Sequence, residues 1–360
     1  MAIAHVQSGG NFANNTTAVT RSVGSVTAGS LIVVTGMKYS PTTDAFAAGD
    51  VTQSAGTATI GTVSLDRGHN LDLGGAIGFA STGIWSAIVT GSGTLTMQVG
   101  GALAGSYLLI AAGEFSGSWD ASRVENVNSG GSATNGQTSF SSGTAATAGA
   151  GLFVGCLQYS CSTTQTNTPD AAFTEMYSNE AGTTDDTGSA GYRIVSSATT
   201  DAWDGTMQSA NDGWAAAVVA YKEAAAATAT LSSATPSGTL GTSTSATLGA
   251  TTDVTSGTFY GVVDSAGNIS GITAAQVKAG QNNASAAPVA SGNASVSTVA
   301  PSVGVTGLTA ATLYSYAVVQ NSAGGDSNVL TGTFTTAAAA SNPNFRNFGP
   351  QGPLKTLLTM

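Results

Sequence analysis

From Trp214 to Tyr221 every residue is apolar, and a string of alanines follows almost at once. The run is too short to span a bilayer, which takes about 20 apolar residues. It is rich in valine and aromatic residues at its ends, so it reads as a buried strand. Residues 224–229, nearly all alanine, offer no partner face and read as a linker. The chain is therefore expected to close one domain at residue 223 and to open a second at residue 230. Its 360 residues exceed what one core usually supports, which fits two domains.

Composition narrows the class. Apolar residues make up 41% of the chain and charged residues only 8%, against about 25% in an average soluble domain. Ser, Thr, Gly, Ala and Asn fill the gap, and most of these are poor helix formers. Sixteen of the nineteen acids precede residue 224, so the first domain holds nearly all the negative charge. The nine basic residues are not clustered, which excludes a phosphate-binding face and direct nucleic-acid binding. Met1 to Val6 lacks the pattern of a secretory leader, and no apolar run is long enough for membrane insertion.

Strand signals recur every 10–25 residues without a helical period. His5-Val6-Gln7 reads as an edge strand. Ser30 to Gly36, Ser106 to Phe115 and Gly151 to Tyr159 read as buried strands. Ile84–Val89 and Thr94–Val99, separated by Thr-Gly-Ser-Gly, predict a hairpin with Leu95, Met97 and Val99 on one face. Residues 40–60 read as loop, and 126–150 as a surface excursion or exposed strands. Residues 1–223 are expected to form one jelly-roll-like antiparallel β-sandwich of eight or more strands.

Beyond Thr230 the acids almost vanish. Thr258–Asp264 and Leu313–Val319 are strands, Ile272–Gly280 suits one or two helical turns, and Thr331–Thr336 closes the unit. Residues 230–336, with about seven strands, suit an immunoglobulin-like or fibronectin type III sandwich. Residues 337–360 carry three prolines and no acid, and read as an extended C-terminal arm. Phe345, Arg346, Phe348, Leu354, Leu357 and Leu358 are its candidate docking contacts.

Two resemblances rest on these pieces. The Ser25–Val34 segment, the Ile84-Trp85 strand, Glu114–Gly117 and Gly213–Lys222 resemble a β-sandwich of bacteriophage structural proteins. Thr273–Gln281 with the Gly307-Leu308-Thr309 lead-in is similar to fibronectin type III-like modules of phage virion proteins. The resemblance implies a non-enzymatic virion protein, a capsid decoration or head-fibre protein that docks on the particle lattice and projects a β-sandwich. It implies other virion proteins as partners, a homo-oligomer (a trimer), assembly in the host cytoplasm and residence on the virion surface. The alternative is a tail fibre or adhesin that contacts a host-surface glycan.

The residues that carry chemistry point the same way. Asp66-Arg67-Gly68-His69-Asn70-Leu71-Asp72 is the densest polar cluster, and it reads as a solvated loop with a local ion pair. Glu175 and Glu180 would be the carboxylates of a glycosidase, but scattered acids are the commoner arrangement. Asp185-Asp186 and Asn211-Asp212 lack the spacing of a calcium loop, and His5 and His69 lack zinc spacing. Cys156 and Cys161, five apart, would face opposite sides of a straight strand, so two free thiols are expected. No catalytic residue, cofactor or metal is expected. Trp85 and Trp214 sit in apolar runs and belong to the core, whereas Trp119 and Trp203, each followed by Asp, are the candidate glycan or partner contacts.

Overall fold

The computed structural model describes residues 2–14, 16–41, 45–74, 78–100, 107–119, 121–161, 166–179, 186–208 and 211–340. The chain divides into two compact units, Met1–Ala224 and Ala225–Met360. The first unit holds two jelly rolls where the sequence suggests one.

The first roll runs through β1 (Ala4–Asn14), β2 (Val19–Val26), β3 (Leu31–Ser40), β4 (Val51–Gly56) and β5 (Thr59–Ile60). It continues with β6 (Ser64–Asp72), β7 (Phe79–Gly91), β8 (Gly93–Val99) and β9 (Tyr107–Ser116). The second roll comprises β10 (Val124–Ser132), β11 (Ser139–Thr147), β12 (Gly151–Cys161) and β13 (Asn167–Pro169). Its remaining strands are β14 (Thr174–Ser178), β15 (Asp186–Val195), β16 (Thr199–Met207) and β17 (Asn211–Lys222).

In the first roll one sheet runs β1-β9-β3-β7, with β5 and β6 both beyond β7, and the other runs β2-β8-β4. In the second, one sheet runs β10-β17-β12-β15-β14 and the other β11-β16-β13. Counting β5 and β6 as one position makes the two orders identical, strand for strand. Registers agree as well. Leu31 lies opposite Ile88 and Phe115, and Leu152 lies opposite Ile194 and Tyr221.

Three apolar layers separate the four sheets. Ile32, Val34, Trp85, Leu95, Met97 and Ile110 fill the first roll. Phe140, Phe153, Leu157, Trp203 and Val218 fill the second. Between them Leu31, Val33, Met37, Leu109 and Phe115 meet Leu152, Val154, Ala217, Val219 and Tyr221 in a layer shared by both rolls. Strands of the two facing sheets are thus covered on both sides, so β3, β9, β12 and β17 are apolar almost throughout. The outer strand β2 is buried on one face only and alternates accordingly.

This layering corrects the expected hairpin. β8 does not pair with β7, whose two edges are taken by β3 and by β5 and β6. Gly91-Ser92-Gly93 carries the chain across to the opposite sheet, where β8 pairs with β2 and β4. Leu95, Met97 and Val99 do share a face, and that face looks back at Trp85. Residues 40–60, read as loop, contain β4 and β5, whereas residues 126–150 hold β11 and most of β10, the strand alternative of their reading.

The second unit consists of β18 (Leu231–Thr235), β19 (Gly238–Thr239), β20 (Ser245–Thr252), β21 (Thr258–Asp264) and α1 (Ala274–Lys278). It ends with β22 (Ala290–Ser295), β23 (Ser302–Thr306), β24 (Leu313–Ser322), β25 (Gly325–Asp326) and β26 (Leu330–Thr335). One sheet runs β18-β20-β23 and the other β19-β26-β24-β21-β22, with β19 parallel to β26. This is the strand order of a fibronectin type III or immunoglobulin-like sandwich. At its corner the Thr309 amide donates to the Tyr314 hydroxyl over 2.9 Å, a tyrosine corner at the start of β24. Tyr314→Phe leaves that amide without its partner and should cost about 1–3 kcal/mol in urea unfolding of the second unit.

Between β21 and β22 a capping box of Thr273 and Gln276 starts α1, whose Val277 packs with Ile269 and Ile272 on the outer face of the sheet. The alanine string is also less free than its composition suggests. Ser322 donates to the Ala227 carbonyl over 3.0 Å, and Thr228 donates to that of Gly324 over 2.7 Å. Its second half is therefore part of the module rather than a tether.

Candidate functional site

A group of titratable residues, Asp66, Arg67, His69, Arg123 and Tyr221, lies where the two rolls meet. β6 is the strand on which the Asp66–Asp72 cluster lies, so the cluster is not the solvated loop that its polarity suggests. One edge of β6 pairs with β7, and its side chains reach β10 and β17 of the second roll.

Asp66 accepts hydrogen bonds from the hydroxyls of Ser86 on β7 and, over 2.7 Å, of Tyr221 on β17. Arg123, in the connection between the rolls, donates through Nε to Ser86 Oγ and through Nη2 to the Ser86 carbonyl, each over 2.9 Å. Burial raises the Asp66 carboxyl above its usual range, against the pull of the two hydroxyls and Arg123. Burial raises the Tyr221 hydroxyl as well, and the Asp66 charge adds to it. Ser86 is 1% exposed and engaged by both Asp66 and Arg123. The arrangement is a strut between rolls: its hydroxyls and guanidinium are occupied with one another and turned away from solvent.

His69 lies beside this strut. Its Nδ1 is 3.2 Å from the Ser129 hydroxyl on β10, and Arg67 donates to the same hydroxyl. At the other edge of the first roll, His5 of β1 stacks on Tyr192 of β15, with ring centroids 4.5 Å apart and planes 16° from parallel. Burial holds both imidazoles below their usual range, helped at His69 by Arg67.

The candidate contacts divide. Trp203 is fully buried in the second roll, which overturns its reading as an exposed aromatic. Its ring is walled by Phe173 at 5.1 Å and lies where side chains on Gly155 and Gly191 would stand. The Asp that follows it points to the other face, because neighbours alternate along β16. Trp119 is half-buried, packed at the rim of the shared layer, with Nε1 donating to the Phe115 carbonyl over 3.1 Å. Trp85 and Trp214 are buried. The docking contacts from Phe345 to Leu358 lie outside the described residues.

Of the other acids, Glu175 is exposed, and Glu180 and Asp185 lie outside the described residues. Asp201 pairs with Arg193, and burial raises Asp204, with Asp170 and Asp201 adding to the effect. Among the described residues no group of three or more His, Cys, Asp or Glu is placed to hold a metal ion. Cys156 is a free, buried thiol in the shared layer, 3.9 Å from the Gly83 carbonyl, and burial pushes it far up. Sequence reasoning missed Ser86, Arg123 and Tyr221, which become a set only when the two rolls face each other.

No protein-family model and no curated protein match this chain. Among solved structures, the FN1-FN3 domains of chicken CNTN1 are similar at 10% sequence identity and a TM-score of 0.21. The match covers 70% of this chain and 82% of that one. The fibronectin type III-like assignment of the second unit rests on its own strand order and tyrosine corner.

Proposed function

We propose that the chain is a non-enzymatic structural protein of a bacteriophage particle, a capsid decoration or head-fibre protein that docks on the particle lattice and projects a β-sandwich. One observation carries this reading: two jelly rolls are fused through a common apolar layer whose polar residues serve as struts. Such a body suits mechanical support. Its outer sheet supports the reading too, because the exposed positions Thr20, Ser22, Ser25, Thr52, Ser54 and Thr94 are uncharged hydroxyls. A small docking contact becomes effective when a symmetric lattice presents it many times. The protein acts as a homo-oligomer, a trimer, on the virion surface.

The test is sedimentation of the purified protein with intact particles, isolated heads and isolated tails. Saturable binding to heads is expected. Binding to none of the three, together with a monomeric mass by light scattering, would remove the reading. Binding to tails alone moves the protein to the alternative, a tail fibre or adhesin. Trp119, the partly exposed indole of the first unit's candidates, makes that alternative specific. Under it, Trp119→Ala should abolish binding to host glycans while the fold survives.

A further inference from the structure

The chain has two histidines, and both bridge the two rolls at opposite edges of the same sheet. His5 sits on β1, one edge strand, and reaches Tyr192 of the second roll. His69 sits on β6, at the other edge, and reaches Ser129 of the second roll. We propose that the two imidazoles form an acid-sensitive latch, in which protonation at both edges weakens the packing of one roll against the other.

The geometry argues for it at each site. His69 is pinned by Ser129 at Nδ1, while its Nε2 is buried without a hydrogen-bond partner. In the imidazolium both ring nitrogens carry a proton, so a full charge stands beside the Arg67 guanidinium and the Nε2–H has no acceptor. Facing this ring are Arg67 on its own strand, Thr82 on β7, and Ser129 and Gly131 on β10. No carboxylate among them offsets the charge.

His5 is enclosed by Phe115 on β9 and Tyr192 on β15, and its Nε2 meets Ser8 over 3.0 Å. The Tyr192 face gives a cation some compensation, about 0.5–1 kcal/mol at a partly exposed site. At His5 burial acts against a backbone hydrogen bond with Gln7, whereas at His69 burial and the Arg67 charge act together.

The sign follows from linkage. Both rings take up a proton less readily in the folded chain than in the unfolded one, whose imidazoles titrate at 6.5. Stability is full above that value and is lost as pH falls through the folded values. Asp66, further along the seam with Arg123 and Tyr221, has the opposite sign, since its raised carboxyl stabilises the fold on protonation. Its contribution grows only as pH falls from its folded value toward the ordinary 3.8. The latch therefore loosens as pH falls below 6.5, and protonation of Asp66 acts against it.

Cys156 is a built-in reporter, because its thiol lies in the shared layer. In a Cys161→Ser chain it can be labelled with a pyridyl disulfide, a reagent that stays reactive toward thiols in mild acid. The rate is read relative to a His5→Gln/His69→Gln chain at the same pH, which cancels the thiol's own pH dependence. This ratio should rise between about pH 7.5 and pH 5, tenfold for each unit by which the two rings are jointly depressed. A ratio flat across that range would overturn the proposal. Should the double variant fail to fold, ring titration by NMR on the unsubstituted protein decides instead. Midpoints below 6.5 for both imidazoles support the latch, and a midpoint at or above 6.5 for His69 overturns it.

Discussion

Trp203→Ala should destabilise the first unit by about 3–5 kcal/mol, the cost of emptying a large aromatic site in a packed core. The side chain is wholly buried, and the backbone around it is shaped to receive it. A Cβ on Gly191 would stand 2.8 Å from the ring, and one on Gly155 would overlap it. These two glycines bring no side chain of their own to fill the slot, so alanine leaves a cavity there. Phe140 and Phe173 lose their ring contacts as well. Trp203→Phe should cost less, since it keeps most of the volume and removes an indole N–H that is buried without a hydrogen-bond partner. Urea unfolding followed by circular dichroism measures both, with the transition of the second unit as an internal control. A Trp203→Ala chain as stable as the parent would contradict the burial described above.

Much of this architecture is legible in the residues, and its failures have a common cause. The long apolar strands, the fibronectin-like module and its short helix follow from alternation, β-branched runs and a capping box. The doubling of the jelly roll does not follow from any single strand. It has two traces in the sequence. Thr27-Ala28-Gly29 and Thr147-Ala148-Gly149 each precede the third strand of a roll, and Phe115 and Tyr221 close equivalent last strands. The apolar runs at β3, β9, β12 and β17 are a further sign, because an antiparallel sheet with one wet face alternates, and these do not. A strand buried on both faces needs a second layer on each side. One sandwich cannot provide it.

The same omission explains the site. Asp66 to Asp72 looks like a loop because polar residues outnumber apolar ones, yet the segment is a strand, and Asp66, Arg67 and His69 on it reach hydroxyls of the other roll. Ser86 sits inside an apolar run, Arg123 in a connection and Tyr221 at a strand end, 98 residues apart between the last two. Local pattern carries no information about contacts at that separation. Trp203 escapes for a simpler reason: a flanking Asp suggests exposure, although in a strand the neighbour of a buried residue faces outward.

Separating the rolls should have the largest effect of all. Expressed alone, residues 1–119 or residues 120–224 would expose one face of the shared layer, including Leu31, Val33, Leu109 and Phe115 on the first roll. On the second roll Leu152, Val154, Val219 and Tyr221 would be bared, and the Tyr221 hydroxyl would lose Asp66. Fully burying one such aliphatic or aromatic side chain is worth about 1.5–3 kcal/mol, and a whole domain is stable by only about 5–15 kcal/mol. A few such side chains therefore exceed what either roll can forgo. Neither half should give a cooperative thermal transition, both should bind a hydrophobic dye, and co-expression should restore a soluble complex with the parent's melting profile. If either half melts cooperatively by itself with no dye binding, then its own internal core suffices and the shared layer is an interface between finished domains. The expected outcome is the reverse: the two rolls fold as one body, because the strands that build each core also form the walls of the layer between them.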